Sequence, residues 1–109
     1  MEVSKRISIQ TEDFDLALEY ERLRTEIGRS VGAIVSFTGL VREQRLLSCS
    51  DELTQNLRLE HYPGMTEASI EKILVESDTR WDLLGQRVVH RVGDLKPSDQ
   101  IVLVLVASE

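Results

Sequence analysis

Ile101-Val102-Leu103-Val104-Leu105-Val106-Ala107 is the longest apolar run in the chain. It is rich in β-branched residues and has no polar alternation, so it predicts a strand at the centre of a sheet. It is far shorter than the roughly 20 residues needed to cross a bilayer. Working back from this strand, residues 93–99, with Pro97, read as a turn, and a strand is expected over about 87–92. Gly85 separates that strand from a helix over 66–80. There Ile70, Ile73, Leu74, Ser77 and Trp81 form an inward stripe, while Glu67, Glu71, Lys72, Glu76 and Asp78 face water.

The first half of the chain adds three strands and a helix. Ile7 and Ile9 alternate with Ser8 and Gln10, the pattern of a short strand with one buried face. Thr11 and Asp13 offer N-cap oxygens to a helix whose stripe is Leu16, Tyr20, Leu23 and Ile27, with Glu19, Glu21, Arg22 and Arg24 outside and Gly28 as its stop. Ala33-Ile34-Val35-Ser36-Phe37-Thr38 is a strand expected to be covered on both faces and ended by Gly39. The polar stretch 42–55 reads as a long surface loop. Leu57, Leu59 and His61 alternate as another strand, and Pro63-Gly64 turns the chain. The order is β-α-β-β-α-β-β, an α+β fold with one main sheet covered by two helices, in a single domain over 1–109.

Composition bounds the function. The chain has 109 residues, enough for one real core. Thirteen basic against nineteen acidic residues leave a net charge of -6, which argues against general binding to nucleic acid or an anionic membrane. An anionic small substrate needs a local basic pocket. The single cysteine, Cys49, cannot form an internal disulfide and suits a reducing compartment. No apolar signal core follows the N-terminus, so the expected location is the cytosol.

Few residues carry obvious chemistry. There is no Gly-rich phosphate loop, no nucleophile elbow and no metal-spaced Cys/His cluster. His61 and His90 fall in expected strands, where a hydrogen-bonded structural role outweighs that of ligand or base. Cys49 has no base to activate it, and a tolerated surface thiol is the simpler reading. The best local anion site is Phe37-Thr38-Gly39-Leu40-Val41-Arg42, with Arg45 beyond. Gly39 allows close approach of backbone to ligand, free N–H groups of Leu40 and Val41 could face an anion, and Arg42 could grip it in bidentate fashion. The plainer alternative is a solvated arginine. Glu60-His61-Tyr62-Pro63-Gly64-Met65 is either part of a site or simply a strand-to-helix joint.

Three blocks together resemble the large, catalytic subunit of molybdopterin synthase. They are Phe37-Thr38-Gly39-Leu40-Val41-Arg42, Leu59-Glu60-His61-Tyr62-Pro63-Gly64-Met65-Thr66 and His90-Arg91-Val92-Gly93-Asp94-Leu95. They occur in the family's order and at similar spacing, and the likeness runs from Ile7 to Glu109; the second block is the most specific. The resemblance implies an α/β hammerhead fold and a homodimer of large subunits. Each would bind a ubiquitin-like small subunit, giving a heterotetramer. The small subunit's C-terminal Gly-Gly thiocarboxylate would enter a pocket on the large subunit, and sulfur would pass to cyclic pyranopterin monophosphate. Two transfers build the dithiolene of the molybdenum cofactor. No metal or organic cofactor is implied for the transfer, and no nucleic acid or membrane partner.

The resemblance also implies that Leu40, Val41 and Arg42 bind the substrate, with Arg42 gripping its phosphate. Many relatives have lysine where this chain has Leu40. In the family the last strand is followed by a His-Arg pair, a helix and a lysine-bearing tail, which would begin directly after Glu109. The chain is thus expected to be C-terminally truncated relative to the family. Lys5, Lys72 and Lys96 match no catalytic position, so no catalytic residue is assigned. Two readings follow: a sulfurtransferase subunit without its C-terminal segment, or a non-catalytic module that dimerises and docks the small subunit. A reading frame continuing past Glu109 would favour the first. Without a covering helix, the sheet around Val102, Val104 and Val106 should be partly uncovered or covered by a second chain.

Overall fold

The computed structural model describes residues 6–43 and 57–109. Lys5, Arg45, Cys49 and all of the expected 42–55 loop beyond Glu43 lie outside the described residues. In chain order the elements are β1 (Ile7–Gln10), α1 (Leu16–Ile27), a 3-10 turn (Gly28–Ser30), β2 (Ala33–Leu40), β3 (Leu57–Leu59), α2 (Met65–Arg80), β4 (Gly85–Arg91), β5 (Gly93–Leu95) and β6 (Gln100–Ser108). The expected α+β order is kept with one addition. Residues 93–95, read from sequence as part of a turn, form the short strand β5, which pairs antiparallel with β3 in a separate two-stranded sheet. Leu95 anchors this arm at zero exposure.

The main sheet is mixed, in the order β1-β4-β6-β2, with β1 parallel to β4 and the other pairs antiparallel. β6 is interior, as its apolar run predicts, and the two helices cover opposite faces. On one face Leu103, Leu105, Ala107 and Val89 pack with Phe14 and Leu23 under α1. On the other, Ile7 and Val88 pack with Leu74 of α2, and Ile9, Ile70 and Val104 surround them. Gly85 lets α1 sit close: a Cβ there would lie 2.9 Å from Ile27 Cδ1. None of the described helices is long and apolar enough to cross a membrane.

β2 differs from its expectation. It is an edge strand, and Val35 and Phe37 are 68% and 61% exposed. Their register partners Val106 and Val104, with Val102, are only half-buried. The reason is lateral: α2 packs over β1, at the far side of the sheet, and stops short of the β2 edge. The expected uncovered patch around Val102, Val104 and Val106 is therefore present, and it extends onto β2.

The helices also turn differently from their sequence stripes. In α2, Ile70 and Leu74 face the sheet while Ile73 and Trp81 are exposed. Glu71 and Asp78, expected outside, bind the Arg6 guanidinium at 2.8 and 2.9 Å. In α1 the N-cap is Asp15, whose Oδ1 accepts the Leu18 N–H at 3.1 Å, rather than Thr11 or Asp13. Glu19, expected in water, is 9% exposed, and its Oε1 accepts from Arg87 Nε at 2.8 Å. Arg87 stands opposite Leu105 on the α1 face of β4, so the helix above it must present a carboxylate.

Candidate functional site

β2 leaves the sheet at a bulge. Gly39 pairs with Val102 and Leu40 with Gln100, so Ile101 is the extra residue on β6. Gly39 serves packing here: a Cβ would lie 2.9 Å from Val102 Cγ1. Leu40 is exposed, Val41 is buried and Arg42 is exposed. The expected free amide of Val41 is a correction: its N–H donates to the Asp99 carbonyl at 2.8 Å. The Ser98 N–H in turn donates to the Val41 carbonyl at 2.8 Å. An anion at this strand end therefore cannot use the Val41 amide. The candidate cation here is Arg42, whose side chain has no hydrogen bond or ion pair to any described residue.

Contacts that no sequence pattern predicts hold this strand end. Arg91 Nη1 donates to the Gln100 carbonyl at 3.0 Å, and its Nε and Nη2 donate to the Thr11 carbonyl at 3.1 and 3.0 Å. Gln100 Nε2 donates to Asp13 Oδ1 at 2.8 Å and to the Phe14 carbonyl at 2.9 Å. The exits of β1 and β4 are thereby tied to the entry of β6. The only signal in the sequence was the turn chemistry of Pro97-Ser98-Asp99; the long-range partners had none.

These bonds shift one acid. The Gln100 amide first and then the Phe14 N–H hold the Asp13 carboxyl below the usual aspartate range against the opposing effect of burial, and the nearby Arg91 charge adds a smaller lowering. A folded-state value below the unfolded one gives stability that is present above the unfolded value and lost as pH falls through the folded value. Asp13→Asn is therefore expected to flatten the fall in urea midpoint between about pH 5 and pH 2. An equally steep fall in the variant would show that Asp13 does not contribute.

The two histidines take structural positions. His61 lies past the end of β3, and its Nε2 is 3.3 Å from Glu67 Oε2. Glu67 Oε1 also accepts the Gly64 N–H at 3.0 Å. Gly64 has φ of 86°, which favours glycine, so this block is the strand-to-helix joint that its composition allowed. His90 sits on β4 with Nδ1 2.8 Å from the Arg91 carbonyl, which fixes Nδ1 as the donor. Among the described residues no group of three or more His, Cys, Asp and Glu side chains is placed to hold a metal. Lys72 lies on α2 and Lys96 in the turn before Pro97.

A cavity of about 470 Å³ lies elsewhere, lined in part by Arg6, Glu26, Asp78, Trp81, Asp82 and Gly85. Gly85 pairs with Ala107, whereas Leu40 pairs with Gln100. Seven residues of β6 separate the two places, roughly 23 Å at ~3.3 Å per residue. Among the described residues the cavity carries three carboxylates, and the one cation there, Arg6, is already bound to Asp78 and Glu71. It is the wrong sign for a phosphate, and the Arg42 end is the candidate anion site.

Comparisons with known proteins identify the family. The family model described as "MoaE protein" matches residues 9–109. The chain is similar to the molybdopterin synthase catalytic subunit of Vibrio cholerae, 48% identical over 103 residues, covering 94% of this chain and 65% of that protein. Among solved structures it is similar to the molybdopterin biosynthesis MoaE protein from Burkholderia ambifaria, with TM-score 0.78 and 43% identity over 94% of this chain and 63% of that one. It is also similar to molybdopterin synthase from Staphylococcus aureus, with TM-score 0.75 and 32% identity over 99% and 72%. The chain spans between 55% and 65% of the length of the first curated relatives it matches. The edge-to-centre strand order, the two helices on a mixed sheet and the match from residue 9 to residue 109 lead to one assignment: this chain belongs to the MoaE protein family.

Proposed function

We propose that this chain acts in molybdenum cofactor biosynthesis as the sulfur-transferring subunit of a molybdopterin synthase. It takes sulfur from the thiocarboxylated C-terminus of a ubiquitin-like small subunit and delivers it to cyclic pyranopterin monophosphate, completing the dithiolene in two transfers. It works as a homodimer that binds two small subunits, in the cytoplasm, and uses no metal or organic cofactor. The observation that carries this reading is the family match over residues 9–109, together with relatives named molybdopterin synthase catalytic subunit.

In this reading Leu40, Val41 and Arg42 form the substrate contact. Arg42 supplies the planar, permanently charged fork that fits a phosphate. Leu40 offers an aliphatic surface beside it, and Val41 anchors the segment through its buried side chain. Arg42→Ala is expected to weaken binding of cyclic pyranopterin monophosphate by about 10- to 100-fold, or roughly 1.4–2.8 kcal/mol, read by titration calorimetry. Unchanged affinity would refute the role of Arg42. Binding of the pterin and of the small subunit without product would favour the docking-module reading over the enzyme.

A further inference from the structure

The peptide of Val41, one residue before Arg42, is gripped from both sides by a single turn. Its N–H is taken by the Asp99 carbonyl and its carbonyl by the Ser98 N–H, each at 2.8 Å. Ser98 has φ of 79°, the one positive value among the described non-glycine residues. A serine held there carries strain that glycine would not, so the surrounding contacts must over-determine it. The turn is closed from within by the Asp99 N–H on the Lys96 carbonyl at 2.9 Å and the Lys96 N–H on Asp99 Oδ2 at 2.8 Å. Behind it stands Arg91, its side chain 13% exposed, with Nη1 on the Gln100 carbonyl and Nε and Nη2 on the Thr11 carbonyl. Three chain segments thus converge behind one exposed arginine.

We propose that the Ser98–Asp99 clasp, locked from behind by Arg91, is the positioning device for Arg42, and that Ser98 and Arg91 are positioning residues for anion binding at the end of β2. The proposal rests on the reading of Arg42 as a phosphate grip. The physical reason is geometric. Bidentate recognition needs the guanidinium held within about 0.5 Å of its productive place. β2 is an edge strand and Arg42 lies past its bulge, so the sheet alone does not fix it. A loose strand end would lose ordering entropy at every binding event, and a clasped one has already lost it on folding.

The test combines amide hydrogen exchange at Val41 with calorimetric titration of cyclic pyranopterin monophosphate. Ser98→Val places a β-branched residue where φ is positive and should open the clasp; Ser98→Gly should keep it. Val41 exchange is expected to accelerate about tenfold or more in Ser98→Val and in Arg91→Lys, while the amides of Ile34 to Phe37 stay as they are. Affinity should fall about tenfold in both variants and be retained in Ser98→Gly. In an Arg42→Ala background Ser98→Val should cause no further loss, because the group it positions is gone. Unchanged Val41 exchange in Ser98→Val and Arg91→Lys overturns the proposal. So does an equal loss of affinity with and without Arg42, which would mark a general structural effect. If Val41 exchange accelerates but Arg42→Ala leaves affinity unchanged, the phosphate reading alone fails and the clasp's hold on this peptide stands.

Discussion

Leu105→Ala should lower the unfolding free energy by about 3–5 kcal/mol, the upper part of the range for such truncations. Leu105 has no exposed surface and sits in the cluster with Phe14, Leu23, Val89, Leu103 and Ala107. Both neighbours of β6 are paired strands, and α1 closes the face above it. The site has little freedom to collapse into the vacated space, so the cavity contribution adds to the lost transfer energy. Against a total stability of about 5–15 kcal/mol, the loss is a large fraction. At roughly 4 °C per kcal/mol, Tm should fall by about 12–20 °C, as read by thermal circular dichroism. Val106→Ala is the matched control. Val106 lies next along the same strand but faces the half-covered side, and it should cost about 1 kcal/mol. Similar losses for the two variants would mean that the faces of β6 are not covered unequally.

The second large effect is electrostatic. Glu19→Ala removes the carboxylate that accepts Arg87 Nε at 2.8 Å beneath α1, where the two side chains are 11% and 20% exposed. Breaking a pair at such burial is costly, with measured cases at about 3–5 kcal/mol, and the further interaction that Arg87 keeps places the loss at the low end of that range. We expect about 3 kcal/mol in urea unfolding. The double replacement Glu19→Leu with Arg87→Met removes both desolvated charges and should return to within about 1 kcal/mol of the wild type. A single-variant loss below about 1 kcal/mol would place the pair in the class of screened surface bridges.

Both predictions turn on a distinction visible in β6 and α1. That β6 is a central strand was legible from its unbroken apolar run, since such a run suits a strand flanked by partners on both edges. The stretch Ala33–Thr38 is similarly apolar and predicts a strand covered on both faces, yet the strand it forms is an edge. Local pattern reports how apolar a strand is, and the number of partners it has depends on elements distant in sequence. Glu19 shows the same limit on a helix. Periodicity puts it among polar neighbours, and only the arrival of Arg87, 68 residues away, makes its position an interior one.

The candidate site divides likewise. Arg42 and its place at a strand end could be read directly, because arginine after a glycine-terminated strand is a local feature. The expectation of an open Val41 amide failed because Asp99, whose carbonyl takes it, lies 58 residues further on. Arg91 belongs to the His90–Leu95 block, but its convergence with Thr11, Asp13 and Gln100 is invisible along the chain.

By itself the sequence determined where the helices and every strand but β5 form, which strand lies innermost, the sign of the net charge and the arginine at the end of β2, since each follows from residue type and spacing of about one helical turn or less. Only the tertiary structure decided which strand is the edge, which face of each helix turns inward, which charges are buried and what holds Arg42 in place. Those depend on pairings between segments tens of residues apart, where the desolvation of a charge or the satisfaction of a backbone amide is set by whatever the fold brings against it.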